Sequence, residues 1–360
     1  MELGIIGLPT CGKTTVFNAL TRSQRPTAAA SSGRLELVSA IVEVPDERVD
    51  RLSELYRPRK TTYARVTYTD IAGLDQDLGK TGLSGELRNK ITPMDAFVHV
   101  VRAFESDQVP HVAGSVDPQR DLEHLQGEFL LADMISVETR IERIGERMRK
   151  GAKGEERTAL EAERLLFERL ALALADSTPL RDVALTAEER AGLSGYGLLT
   201  LKPTLVLVNT GDDAQEAEAL VSFDHHQTVV LALQGKLEME LSRMDLDEAA
   251  LFMEEYGIET LALDRVIRAS YGLIGLHSFF TVGDDEVRAW NLRSGGTAVE
   301  AAGTIHTDLA RGFIRAEVVA YHDLIAAGDM VAARKAGKVH LEGKDYTVQD
   351  GDVIHVRFSV

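Results

Sequence analysis

Leu3-Gly-Ile-Ile-Gly-Leu-Pro-Thr-Cys-Gly-Lys-Thr-Thr-Val-Phe-Asn18 decides the fold of this chain. An apolar strand runs into a loop bounded by Gly7 and Gly12, and a helix-compatible run follows. Gly7, four residues, then Gly12-Lys13-Thr14 is the Walker A spacing. The glycines let the backbone curl so that successive N–H groups face a phosphate chain, with a helix N-terminus behind them. Leu8, Pro9, Thr10, Cys11, Gly12, Lys13, Thr14 and Thr15 are therefore the expected phosphate-binding residues. Lys13 reaches the outer phosphates, and the Thr14 hydroxyl is a ligand for Mg2+. A purely structural glycine turn would leave the lysine and the threonine without a purpose.

Outward from this loop, a second nucleotide signature appears at the end of the next alternating stretch. Thr61 to Asp70 reads as a strand closing on Asp70-Ile-Ala-Gly73. An aspartate at a strand end, with glycine three residues on, is the Walker B arrangement. Asp70 serves the metal, and the Gly73 N–H senses the terminal phosphate. Leu74 stands where many GTPases carry a water-orienting glutamine, which leucine cannot replace. Between the two signatures, Arg22 to Arg34 is small and polar, where the first switch would lie. Leu35 to Val44 is strand-like, and Asp46 suits the N-cap of a helix over 47–56.

Asp95 to Val101 is a continuous apolar run, as expected of a strand buried on both faces. Lys202 to Asn209 and Thr228 to Leu233 repeat that character. The loops that follow these two strands, Asn209-Thr210-Gly211-Asp212 and Gln234-Gly235, stand where such nucleotidases read the base. The long loop after residue 102 contains His111, a candidate to position water or phosphate in place of the missing glutamine. Together with Lys13 it is the candidate for the chemical step.

Asp121 to Leu174 changes texture. Val137, Ile141, Ile144 and Met148 are spaced four, three and four apart, and Leu160, Phe167, Leu170 and Leu174 follow suit. Lys150-Gly-Ala-Lys-Gly154 interrupts them, which predicts an antiparallel, coiled-coil-like helical hairpin with a basic tip. From Phe279 onward, short β segments with a helix near 298–309 predict a small α+β module.

Composition narrows the class. The formal charge of −17 opposes a simple nucleic-acid coat, and one cysteine excludes an intrachain disulfide, as expected of a reducing cytoplasm. No apolar run approaches the roughly 20 residues of a membrane span. The first residues enter a strand at once, so no secretory signal is expected.

These motifs together resemble the YchF-type Obg-like ATPases, a family of P-loop nucleotidases. The resemblance rests on residues 7–15, Val44-Pro-Asp46, Asp70-Ile-Ala-Gly-Leu74, His99-Val-Val-Arg102, residues 111–118, Lys202-Pro203, Glu286-Val-Arg-Ala-Trp290, residues 302–308 and 312–318, and Leu341 to Asp352. It implies an α/β nucleotidase domain over 1–120 and 197–274, the hairpin inserted at 121–196, and a ubiquitin-like β-grasp (TGS) domain over 275–360. It also implies ATP in preference to GTP, cytoplasmic action, and association with the ribosome or its RNA through the TGS domain and hairpin. Two departures qualify this. The family's Phe-x-Thr-Ile-Glu-Pro switch falls on Arg34-Leu-Glu-Leu-Val38, which has no threonine. The base loop Asn209-Thr-Gly-Asp212 has the aspartate of a guanine reader without its lysine, where the family commonly has Asn-x-x-Glu. Three readings stay open: a slow Mg2+-dependent ATPase gating a translation-linked interaction, a GTP-preferring member, and a nucleotide-binding scaffold with little hydrolysis.

Overall fold

In the computed structural model, residues 1–25, 36–72, 83–212, 214–255 and 261–359 are described. Gly73, Leu74, Arg34, Thr27, Ser31 and Ser32 lie outside them. The chain divides into two compact units, residues 1–40 with 67–263 and residues 41–66 with 264–360.

The first unit is built on six strands: β1 (Glu2–Ile6), β2 (Glu36–Glu43), β4 (Arg65–Ala72), β5 (Ala96–Arg102), β6 (Thr204–Asn209) and β7 (Thr228–Leu233). They form one sheet of order β2–β4–β1–β5–β6–β7. β5 and β6 are buried at every residue, as their unbroken apolar runs require of strands covered on both faces. β1 pairs in parallel with β4 on one side and β5 on the other, and β5, β6 and β7 continue in parallel. The chain therefore leaves β1 to one side of the sheet and returns on the other. In such a sheet the carboxyl ends flanking the reversal form the ligand crevice. Register brings Ile5 opposite Asp70, Arg102 opposite Asn209, and Asn209 opposite Leu233.

The hairpin is two helices, Pro118–Arg149 and Gly154–Ala175, in the expected order. The first starts where Asp117 accepts from Arg120 N–H and Pro118 takes a position needing no donor. Val137, Phe167, Leu170 and Leu174 are buried together with Leu180 and Leu193, and Ile141 packs beside them. The hairpin root is fastened by buried Asp133, which accepts from Leu199 N–H, Thr200 N–H and the Thr200 hydroxyl at 2.7–2.8 Å.

The second unit corrects the expected partition at residues 41–66. The stretch expected as one strand over 61–70 is two. β3 (Lys60–Thr62) belongs to a second sheet, and β4 begins at Arg65. The other strands of that sheet are β8 (Leu276–Thr281), β9 (Glu286–Arg293), β10 (Phe313–Ala320), β11 (His340–Glu342) and β12 (Asp352–Phe358), in the order β11–β10–β12–β8–β9–β3. β3 runs parallel to β9, and the Thr62 hydroxyl donates to Glu286 at 2.6 Å. The helix Glu47–Tyr56 is capped by Asp46 as predicted. Arg48 on that helix forks between Asp46 and Asp350 at 2.8 and 2.9 Å. Such partners, far apart in sequence, draw residues 41–66 to the C-terminal module. Ala298, Ala301 and Ala302 of the helix Ala298–Ile305 are fully buried in the module's core with Phe279, Leu292, Phe313 and Ile354. Small residues at helical spacing let that helix sit close to the sheet. No apolar pattern announces two further short helices, Tyr321–Ala327 and Met330–Lys335, and only the second has a side-chain N-cap, Asp329. No helix among the described residues is long and apolar enough to cross a membrane.

Candidate nucleotide site

The phosphate loop lies between β1 and the helix Lys13–Thr21. Gly7 has φ 150° and Gly12 φ 98°, the left-handed side where a β-carbon is strained. At Gly7 a β-carbon would also meet the Val100 carbonyl at 2.3 Å, and at Gly12 the Asn209 amide at 2.3 Å. The glycines are thus required twice, by torsion and by the neighbours that close on the loop. The first helical bond is Val16 N–H to Gly12 O at 2.9 Å. The N–H groups of Lys13, Thr14 and Thr15 precede that ladder, which leaves them available to an anion. Lys13 is buried, and its ammonium folds back to donate to the carbonyls of Gly7 and Leu8 at 2.9 and 2.8 Å. Leu8 and Cys11 are buried in the loop, while Pro9, Thr10 and Thr15 are half-buried.

The Thr14 hydroxyl donates to Asp70 Oδ2 at 3.1 Å. Asp70 lies fully buried near the end of β4, and its Oδ1 has no hydrogen-bond partner among the described residues. Burial pushes its carboxyl above the usual range, against the Thr14 hydrogen bond and the charges of Arg25 and Lys13. A hydroxyl and a carboxylate with an unspent oxygen form a hard, all-oxygen donor set, which suits Mg2+. Among the described residues no cluster of three or more His, Cys, Asp or Glu side chains is arranged for a metal. A metal here would complete its shell from phosphate and water, the usual habit of Mg2+.

Asn209 does more than its place in the base loop suggests. Its amide donates to Cys11 O at 3.1 Å, and its carbonyl accepts from Gly235 N–H at 3.2 Å and Gly211 N–H at 3.4 Å. One buried side chain thus joins the phosphate loop to both base-side loops. Thr210 is buried and bonded through its N–H to Leu233 O. Gln234 donates to Asp212 O at 2.7 Å, and the Asp212 side chain stands exposed. The structure therefore gathers Leu8 to Thr15, Asp70, Asn209, Thr210, Asp212, Gln234 and Gly235 at one end of the sheet.

His111 has other company. Its Nδ1 accepts from Ala113 N–H at 3.1 Å, which makes Nε2 the donor to Asp121 Oδ2 at 2.7 Å. Both ring nitrogens are spent, and the side chain is 3% exposed.

Two arginines escape the sequence reading. Arg102 closes β5 and is fully buried. It donates to Phe104 O, Val109 O and the Thr10 hydroxyl at 3.0, 2.8 and 3.1 Å. That clamp holds Thr10 at φ 61°, a torsion few residues other than glycine adopt. In sequence it shows as a charge at the end of an apolar strand and as the last residue of the family-like His99-Val-Val-Arg102, neither of which gives it a role. Arg25 pairs with Asp70 at 2.9 Å from a stretch with no pattern.

A family model described as a 50S ribosome-binding GTPase matches residues 2–140. The YchF-GTPase C-terminal model, described as a protein of unknown function, matches residues 276–359. The Ribosome-binding ATPase YchF of Bacillus subtilis (strain 168) is 42% identical over 371 residues, spanning 100% of both chains. This chain belongs to the YchF family. The Escherichia coli O157:H7 protein of the same name is 39% identical over 100% of this chain and 99% of its own. The YchF GTPase of Schizosaccharomyces pombe, a solved structure, matches with a TM-score of 0.86 and 31% identity, over 99% of this chain and 97% of that one. The P-loop nucleotidase fold of the YchF family, with its long helices and C-terminal β domain, is therefore the fold of this chain.

Beneath the loop, His99 of β5 is buried, 3.3 Å from Gln126. Burial, then the charges of Lys13 and Arg181, push its imidazole down to about 3. Above pH 6.5 it is neutral folded and unfolded, and contributes no pH dependence. As pH falls from 6.5 towards 3, only the unfolded chain binds the proton, so stability is lost. Between pH 7 and 4.5 this one group costs about 2.5 kcal/mol. In urea melts at those two pH values, His99→Leu loses less stability than the native chain by about that amount.

Proposed function

We propose that this chain binds ATP with Mg2+, hydrolyses it slowly, and uses the bound state to gate an association with the ribosome. The observation that carries the nucleotide part is the convergence of Lys13, Thr14 and a buried Asp70 with an unspent oxygen. Lys13 is the group for the outer phosphates. Its present partners are two loop carbonyls, which a phosphate oxygen would replace at a gain from full charge pairing. Thr14 and Asp70 would hold Mg2+. When bound, that ion neutralises charge on the phosphates during transfer. His111 fits the reading as an anchor for the start of the hairpin, since neither ring nitrogen is left for water. Gly73 remains assigned to the terminal phosphate on its motif alone.

Ribosome association rests on the family. The bacterial relatives are named ribosome-binding ATPases, and the basic hairpin tip and C-terminal module are the surfaces proposed for that contact. The base is the sharper question, because the S. pombe relative is named a GTPase. The side chains of Asn209 and Gln234 are engaged in holding loops, so the exposed Asp212 carboxylate remains to read the base edge. Calorimetry with ATP and GTP in Mg2+ tests this. Binding of ATP at least as tight as GTP is expected. GTP tighter by tenfold or more would reverse the assignment. Phosphate release over a long incubation, absent in Lys13→Ala, separates slow hydrolysis from the second reading, a scaffold without turnover, which Leu74 and the threonine-free switch favour.

A further inference from the structure

The Asp70 carboxyl is buried completely, where its ionised form is costly unless a cation stands beside it. In the structure that cation is Arg25, whose guanidinium lies 2.9 Å from Asp70 Oδ2. The arginine is placed, not merely near. Its backbone is gripped at both ends by the fully buried Asn18, which donates to Arg25 O at 2.8 Å and accepts from Arg25 N–H at 3.1 Å. Its guanidinium also lies 5.9 Å from the centre of the Phe17 ring. Thr14, the other residue fitted to a metal, donates to the same Asp70 oxygen.

We propose that Arg25 is a tethered counter-ion that stands in for the divalent cation at Asp70 and is displaced when metal and nucleotide bind. The inference rests on the Mg2+ reading of Thr14 and Asp70 and adds a residue to it. Two cations on one carboxylate repel at close range, so metal binding must work against the arginine. Asp70 is fixed on a buried strand and cannot retreat. The Arg25 side chain is a quarter exposed and can turn outward while Asn18 keeps its backbone in place. Arg25 thereby lowers metal affinity, decisively so when no phosphate chain helps to hold the ion, and keeps the carboxylate paired in the empty protein. Metal occupancy becomes coupled to nucleotide occupancy.

Mn2+ titration followed by electron paramagnetic resonance, on the full chain saturated with ADP, tests this without reference to turnover. Arg25→Gln is expected to bind Mn2+ about tenfold more tightly than the native chain. Arg25→Lys, which keeps the charge and serves if the glutamine variant does not fold, is expected to stay within about twofold of it. Without metal, Arg25→Gln melts at a lower temperature, and Mn2+ raises its midpoint more than it raises the native one. Asp70→Asn is expected to weaken Mn2+ binding. If Asp70→Asn weakens Mn2+ while Arg25→Gln binds it no more tightly than the native chain, the role of Arg25 falls and the metal site stands. The role of Arg25 falls likewise if Arg25→Lys tightens Mn2+ binding as much as the glutamine variant is expected to. If Asp70→Asn binds Mn2+ as tightly as the native chain, the metal site itself falls, and the proposal with it.

Discussion

Lys13→Ala lowers nucleotide affinity by about two orders of magnitude, or roughly 2.7 kcal/mol. The size follows from what the ammonium does on each side of the equilibrium. In the empty loop it donates to two neutral carbonyls, Gly7 O and Leu8 O, at 2.9 and 2.8 Å. In the bound protein it would face phosphate oxygens, and hydrogen bonds between ions in a buried site are each worth about 1.5–3 kcal/mol. Loop carbonyls beside a glycine-rich turn are easily satisfied by water, so folding stability changes far less than affinity. Titration calorimetry with ATP and a thermal melt of the empty protein separate the two effects. An affinity within about threefold of the native value would show that Lys13 only braces the loop.

Asn209→Ala has the second large effect, and its direction distinguishes a base reader from a loop tie. A base reader, once removed, would weaken ATP or GTP selectively and leave a base-free phosphate chain untouched. The structure predicts otherwise. The Asn209 amide holds Cys11 O of the phosphate loop, and its carbonyl holds Gly235 and Gly211. Alanine breaks all three contacts at once, in a residue 3% exposed. Leaving buried partners unpaired costs about 1–3 kcal/mol each, not fully additive, so a stability loss of about 3 kcal/mol is expected. ATP, GTP and inorganic triphosphate should all weaken together, by about tenfold or more. Calorimetry with the three ligands reads this directly. Loss confined to the nucleosides would return Asn209 to the base.

Local pattern in the sequence is informative where chemistry is local. The two glycines, the lysine and the threonine of the phosphate loop sit within eight residues, and the strand before them announces itself by its apolar run. Asp46 before a helix, and Lys150-Gly-Ala-Lys153 between two helical runs, are equally local, and each element formed where expected. The break between Thr62 and Arg65 was not legible. The stretch has one alternating pattern, and only distant strands divide it between two sheets. Arg25 was illegible for a related reason. Its partner is 45 positions away, and the residues around it have no period.

The family resemblance strengthened the loop assignment, but it could not tell what each side chain faces. His111 lies in a stretch that matches the family, and in space its ring is spent on Ala113 and Asp121. Asn209, expected at the base, also ties the phosphate loop to both base-side loops. Arg102, which ends a buried strand and a family-like stretch with no role attached, holds Thr10 in its left-handed torsion.

By itself the sequence determined that this chain carries a phosphate loop on a parallel sheet, with a helical hairpin and a C-terminal α+β module. Strand runs, helix spacing, caps and glycine positions are short-range constraints that each segment satisfies alone. The tertiary structure decided how the loop is held closed, which cation neutralises Asp70, and where residues 41–66 belong. Those outcomes depend on pairings between residues tens to hundreds of positions apart. Such pairings are set by sheet register and by the need to leave no buried charge or hydrogen-bonding group alone, and no local pattern encodes them.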